Sequence, residues 1–277
     1  MFVADQLIYL ELQKTGGSHI RRLLKQMTNG SAEGKHNRLL AMPENKSVIG
    51  SIRNPWDWYV SLWAYGASGQ GALRARTGRG PDFNYYYRML PRAMGKNWLT
   101  PGELLVSLKR DIVKPKHHWQ RTYSDPDDPL LFRTWLKLLF NEQRRFDIGE
   151  GYGFSPLSKH AGLLTYRYFR LFTLGDRVFR DQCLADASVI AEFDKEYNIA
   201  TGIIRMESLE ADFVRLLTRA GVLLTEQQSA SILNKESGKT NISRRKPAAF
   251  YYDDEAIELV ARGDKFLIEK YGYEPPV

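Results

Sequence analysis

"LELQKTGGSHIRRLL", residues 10–24, decides how this chain is read. A short apolar run, Leu7-Ile8-Tyr9-Leu10, meets a lysine, two glycines and a serine, and a helical pattern starts at once. Strand, glycine turn and helix in this order commonly hold a phosphate. Gly16 and Gly17 lack a Cβ, so backbone N–H groups can approach a ligand closely. A helix starting near Ser18 aims its first amides and the positive end of its dipole at the same place. Lys14 adds a point charge, and Thr15 and Ser18 add hydroxyl donors. The lysine, however, precedes the glycines. A Walker A loop, G-x-x-x-x-G-K-[ST], places it after them and needs an Asp at another strand end for Mg²⁺. Neither is present: the next apolar run, 46–52, ends in Arg53-Asn54. Lysine, arginine and hydroxyls with no carboxylate suit a metal-free transfer. A sulfuryl group carries less charge than a terminal phosphoryl group and needs less neutralisation.

Working outward, residues 17–28 form an amphipathic pattern, with Ile20, Leu23, Leu24 and Met27 on one face and Arg21, Arg22 and Lys25 on the other. Residues 46–52 read as a second strand. "NPWDWYVSLWAY" reads as a helix capped by Asn54 with Pro55 at its first position and Trp56, Tyr59, Val60 and Trp63 recurring at helical spacing. Residues 66–101 are rich in Gly, Arg and Tyr and read as irregular with short helices. Further helices are predicted at 102–110, 129–145, 176–197, 208–220, 225–234 and 253–271, and a third strand at 202–206. Strands alternating with helices predict an α/β fold with a central parallel sheet flanked by helices.

The pair KTGGS (14–18) and RNPWDWYVS (53–61) resembles the two nucleotide-binding motifs of sulfotransferases that use 3′-phosphoadenosine 5′-phosphosulfate (PAPS). The resemblance implies a P-loop NTPase-like sulfotransferase fold and sulfuryl transfer from PAPS to a hydroxyl acceptor. It assigns Lys14, Thr15, Gly16, Gly17 and Ser18 to the 5′-phosphosulfate and Arg53 and Ser61 to the 3′-phosphate. The stretches 205–222 and 241–274 also resemble the family's closing segments. They make Lys239, Asn241, Ser243 and Arg244 weaker candidates for nucleotide contact, while Tyr251, Tyr252 and Asp253 are expected to pack and cap the last helix. The resemblance covers roughly 7–65 and 200–275. The segment 66–175 carries no motif of the family and is read as a largely helical insertion within one domain, 1–277.

An attacking hydroxyl must lose its proton, so a base is needed near Lys14. Histidine is the side-chain type whose ordinary charge change falls near neutrality, so His36, 22 residues after Lys14 in "EGKHNRLL", is the preferred candidate, with Glu33 and Glu44 as fallbacks. His19 lies inside the loop and is a candidate donor to the phosphosulfate. His117 and His118 lie among basic residues with no second ligand cluster, so they fit an acceptor surface rather than zinc. No metal is expected.

The 277 residues are 43% hydrophobic and 26% charged, an ordinary globular balance. Cys183 is the single cysteine, which excludes an internal disulfide. It favours a reducing, cytoplasmic location and is expected to be a small buried apolar group. MFVADQ has neither the basic start nor the apolar stretch of a signal peptide, and no apolar run reaches the ~20 residues that cross a bilayer. The formal charge of +8 points to an anionic partner. Basic and aromatic residues interleave from Arg74 to Arg121, which suits a sugar ring or an acidic glycan as acceptor, or a single-stranded nucleic acid. Two other readings compete: a P-loop kinase with a divergent loop, and a non-catalytic basic protein that binds nucleic acid. With the nucleotide motifs absorbing part of the charge, nucleic acid is the less favoured partner.

Overall fold

The computed structural model describes residues 1–95, 99–234 and 245–276. Five strands run in the order Phe2–Ala4 (β1), Leu7–Leu10 (β2), Gly30–Ala32 (β3), Ser47–Ile52 (β4) and Gly202–Arg205 (β5). They form one sheet ordered β3-β1-β2-β4-β5. β2, β4 and β5 are parallel, Leu7 pairing with Ser47 and Ile52 with Arg205. β1 runs antiparallel to both its neighbours, Phe2 opposite Tyr9 and Ala32. The sheet is therefore mixed, not wholly parallel as the sequence predicts. The reason is local. Asp5 and Gln6 alone join β1 to β2, and a two-residue link permits only a hairpin. Three-residue strands such as β1 and β3 carry too little periodicity to announce themselves.

Among the described residues there are fourteen α-helices. They are Gly17–Met27 (α1), Pro55–Ala67 (α2), Ala72–Gly78 (α3), Phe83–Met94 (α4), Pro101–Val113 (α5), Lys116–Arg121 (α6), Pro129–Phe140 (α7), Leu163–Phe172 (α8), Arg177–Arg180 (α9), Ile190–Tyr197 (α10), Leu209–Arg219 (α11), Glu226–Leu233 (α12), Asp254–Gly263 (α13) and Lys265–Tyr271 (α14). The fold is α/β and mostly helical, and the segment 66–175 is helical throughout much of its length. None of these helices is long and apolar enough to cross a membrane.

The chain falls into two compact units. The first comprises Met1–Asn54, Arg167–Gly175 and Glu192–Arg244 and contains the sheet. Leu7, Tyr9 and Ile49 on one sheet face pack with Ile20, Leu23 and Leu24 of α1 and with Phe213, Leu216 and Leu217 of α11. Phe172 lies against Gly50 of β4, and Phe169 meets Phe193 edge-on. β2 and β4 are almost wholly buried, which explains why they read as continuous apolar runs rather than alternating ones.

The second unit comprises Pro55–Tyr166, Asp176–Ala191 and Arg245–Val277. Its centre is aromatic. α2 buries Trp56, Trp58, Tyr59, Val60, Leu62 and Trp63, so it is enclosed on more than the single face its spacing predicts. Trp63 and Tyr251 both meet Phe132 edge-on. Their polar tips are satisfied: Trp63 Nε1 donates to the Thr122 carbonyl at 2.7 Å and Trp135 Nε1 to the Tyr123 hydroxyl at 2.7 Å. Asp253 caps α13 by accepting from the Ala256 amide at 2.9 Å, and Tyr251 and Tyr252 are buried, as expected.

Two predicted helices are broken. The stretch 176–197 divides into α9, two short 3₁₀ turns and α10. There Asp186 accepts from the Ser188 amide at 2.9 Å, a local bond that competes with helix continuation. The stretch 253–271 divides at Asp264, whose side chain turns away to accept from the Thr165 amide and hydroxyl and from the Tyr59 hydroxyl. Cys183 is exposed, not buried as predicted. It sits on one of the 3₁₀ turns, where Leu184 fills the buried position.

Candidate functional site

The carboxyl ends of the three parallel strands lie in the first unit, and this edge is where open α/β sheets hold ligands. β2 delivers the loop Glu11–Gly16, β4 delivers Arg53 and Asn54, and β5 delivers Met206 and Glu207. Because β4 lies between the other two, Arg53 stands beside both neighbouring segments. Its guanidinium faces the Lys14 carbonyl at 3.4 Å, at the limit of a hydrogen bond. The next amide, Asn54 N–H, donates to Glu207 Oε1 at 2.7 Å.

The loop is strained in a specific way. Lys14 has φ +64° and Gly16 has φ +76°. A left-handed lysine is uncommon and costs energy. Left-handed residues alternating with right-handed ones turn successive N–H groups toward one side, the concavity in which anions bind. Gly16 starts α1 with no side chain to cap it, while its carbonyl accepts from the His19 and Ile20 amides at 2.9 and 3.0 Å. The first turn of α1 holds no acidic residue. Its leading amides and dipole are thus presented at the loop.

Thr15 behaves differently from the expectation that its hydroxyl serves a ligand. It is fully buried. Its hydroxyl donates to the Leu12 carbonyl at 2.7 Å and so must accept from Ser51, 2.6 Å away. Ser51 then accepts from Tyr9 at 2.7 Å. This one-way chain of three hydroxyls pins the loop to β2 and β4. Burial, lessened by the bond to Ser51, pushes the Tyr9 phenol well above its ordinary pKa. Any contribution of Thr15 to an anion comes through its backbone, whereas Ser18 is exposed at the start of α1.

The sequence reading assigns this loop no carboxylate, and here the structure corrects it. Glu11 is buried, with Oε2 3.2 Å from Arg21 Nε one turn into α1. Its side chain lies so close to Gly17 that a Cβ there would stand 2.4 Å from Glu11 Cγ and Oε1. Gly17 is therefore required by its neighbour Glu11, whose side chain fills the space a Cβ would take. The pairing with Arg21 offsets the negative charge and leaves Lys14 and Arg53 to set the sign of the local field. Glu11 is the one charged residue in the apolar run 7–12, which is the signal that marks it.

His36 reaches the same loop. With φ +56° it turns its ring so that Nδ1 lies 2.9 Å from the Glu11 carbonyl. A carbonyl only accepts, so His36 Nδ1 carries a proton and donates it to the Glu11 carbonyl, which orients the ring against the loop. Glu33 and Glu44 are both exposed. His19 Nδ1 faces Arg22 Nη2 at 3.1 Å. Burial, and then the charge of Arg22, hold the His19 pKa below its ordinary value, so it stays neutral near pH 7. Ser61 is buried on α2 in the second unit. Lys239, Asn241, Ser243 and Arg244 lie outside the described residues. His117 is exposed with its ring 3.1 Å from Gln120, His118 is exposed, and His160 donates to the Leu184 carbonyl at 2.8 Å.

No family model, no curated protein and no solved structure matches this chain.

Proposed function

We propose that the chain is a sulfotransferase that moves a sulfuryl group from PAPS to a hydroxyl acceptor, on a P-loop-like sulfotransferase fold. One observation carries the reading. A left-handed lysine loop runs into an α-helix whose cap has no side chain, and an arginine from the neighbouring parallel strand stands against that loop. Basic groups and backbone amides converge where a nucleotide phosphate or phosphosulfate would lie. The motif resemblance supplies the identity of that nucleotide.

In this reading Lys14 and the amides of Gly16, Gly17 and Ser18 hold the phosphosulfate, and Arg53 holds the 3′-phosphate. His36 Nε2 takes the acceptor's proton as the acceptor oxygen forms its bond to sulfur. The bond from sulfur to the bridging oxygen breaks, and adenosine 3′,5′-bisphosphate leaves with its new charge facing Lys14. Catalysis is then positioning and electrostatic stabilisation rather than covalent chemistry. The aromatic and basic residues of 74–121 are the candidates for binding the acceptor, a sugar or acidic glycan.

Transfer of radiolabelled sulfate from PAPS to a panel of hydroxyl acceptors tests this. Lys14→Ala should lower turnover by about 10²–10³, the usual cost of losing one oxyanion donor. Unchanged transfer by Lys14→Ala, or failure of the wild type to desulfate PAPS with every acceptor, overturns the reading.

A further inference from the structure

Helices α4 and α5 carry two apolar rows each. The inner rows pack against one another: Tyr86 and Ala93 of α4 form a buried cluster with Leu99 and Leu104, joined by Met89 and Leu108. The outer row of α4 is Phe83, Tyr87, Leu90 and Met94, which are 64%, 80%, 45% and 76% exposed. Their spacing of four, three and four residues holds them within one narrow stripe of the helix. α5 carries a broader apolar arc, with Leu105 and Ile112 in one row and Val106 and Val113 in the next; they are 53%, 60%, 40% and 70% exposed. Isolated exposed apolar residues are ordinary, but a row of large ones on each of two adjoining helices is not.

Charge indicates what would cover them. Arg88, Arg92 and Lys109 are exposed on the same two helices. α4 contains no acidic residue. The two acids of α5 are both engaged: Asp111 is buried between Arg76 and Lys114, and Glu103 caps the helix and pairs with Arg180. In α4 the two arginines lie on the side of the helix away from the apolar stripe, with Asp82 at its N-cap as the nearest acid. A short helix with one apolar and one basic side matches a surface that is apolar beneath and anionic on top. A second copy of this chain would bring the same cations against these. At twelve residues α4 also spans fewer than two heptads, short for a coiled-coil seam.

We propose that the outer face of α4 and α5 docks the protein onto an anionic phospholipid surface, lying in the headgroup layer without crossing it. This goes beyond the sulfotransferase reading and does not depend on it. The test is co-sedimentation of the full chain with vesicles of equal phosphatidylglycerol and phosphatidylcholine, compared with phosphatidylcholine alone. Binding is expected to the mixed vesicles and to weaken with added salt. Arg88→Gln with Arg92→Gln should weaken it about 25-fold, roughly fivefold per cation. Tyr87→Ser with Met94→Ser should weaken it about tenfold or more. Leu223→Ser, at an exposed apolar residue in the first unit, should leave it unchanged. These side chains are exposed, so thermal melts should match the wild type.

Absence of vesicle binding overturns the proposal, as does equal binding to both vesicle types. Binding that survives Tyr87→Ser with Met94→Ser overturns it in favour of a plain polyanion site. Concentration-dependent dimerisation lost in that same variant, with no vesicle binding, replaces the lipid surface with a second copy.

Discussion

Gly17→Ala separates a requirement imposed by the fold from one imposed by a ligand. Gly17 is the first residue of α1 and has ordinary helical φ, so alanine fits the backbone. On propensity alone the change should stabilise α1 by about 0.5–1 kcal/mol. The obstacle is Glu11. The new Cβ would stand 2.4–2.5 Å from Glu11 Cγ, Oε1 and Cδ, and the whole carboxylate arm would have to move, loosening its pairing with Arg21 at 3.2 Å. Overpacking of this kind costs about 1–3 kcal/mol. The net expectation is a loss of roughly 1–2 kcal/mol, or a melting temperature lower by about 2–8 °C. In a Glu11→Ala background the obstacle is gone, and the same Gly17→Ala change should then raise the melting temperature. A double-mutant cycle of four thermal melts reads the coupling, expected near 2 kcal/mol. If Gly17→Ala stabilises the wild type, or destabilises equally in both backgrounds, the placement of Glu11 against the loop is wrong.

Ser51→Ala should break the hydroxyl chain beneath the loop, leaving the buried Tyr9 hydroxyl without its acceptor at a cost of about 1–3 kcal/mol. Adding Tyr9→Phe should cost less than the two single changes summed, and full additivity in urea unfolding would refute the chain. Asp264 has its pKa raised, because burial outweighs the hydrogen bonds from Tyr59 and Thr165. The folded state therefore holds its proton more tightly than the unfolded chain, whose carboxyl titrates near 4. Stability contributed below pH ~4 is lost as pH rises through the folded value and then levels off. Asp264→Asn should flatten that part of the urea-midpoint profile against pH, and an unchanged profile would contradict it.

Much of the site edge is legible in the sequence because its signals are local. β2, α1 and β4 each announce themselves through a run or a period, and the glycines and Arg53 sit at their ends. What is not legible depends on distant partners. Nothing near Thr15 shows that its hydroxyl is spent on Leu12 and Ser51. Nothing beside Glu11 shows that it folds back onto Gly17. The pairing of β1 follows from a two-residue link whose strand is too short to read, and α2 looks one-sided until unit two encloses it. Asp264 looks like a helical residue until Thr165, 99 positions away, claims its carboxylate.

On the proposed function, the loop 14–18 and Arg53 hold a nucleotide phosphorylated at both its 3′ and 5′ ends. Thermal shift with adenosine 3′,5′-bisphosphate tests it most directly, since a ligand that binds the native state raises the melting point by mass action. The wild type should be stabilised by adenosine 3′,5′-bisphosphate, more than by ATP with Mg²⁺ and more than by an oligonucleotide. Lys14→Ala and Arg53→Ala should each lose that shift while melting normally without ligand. Stabilisation by ATP with Mg²⁺ but not by adenosine 3′,5′-bisphosphate would contradict the account.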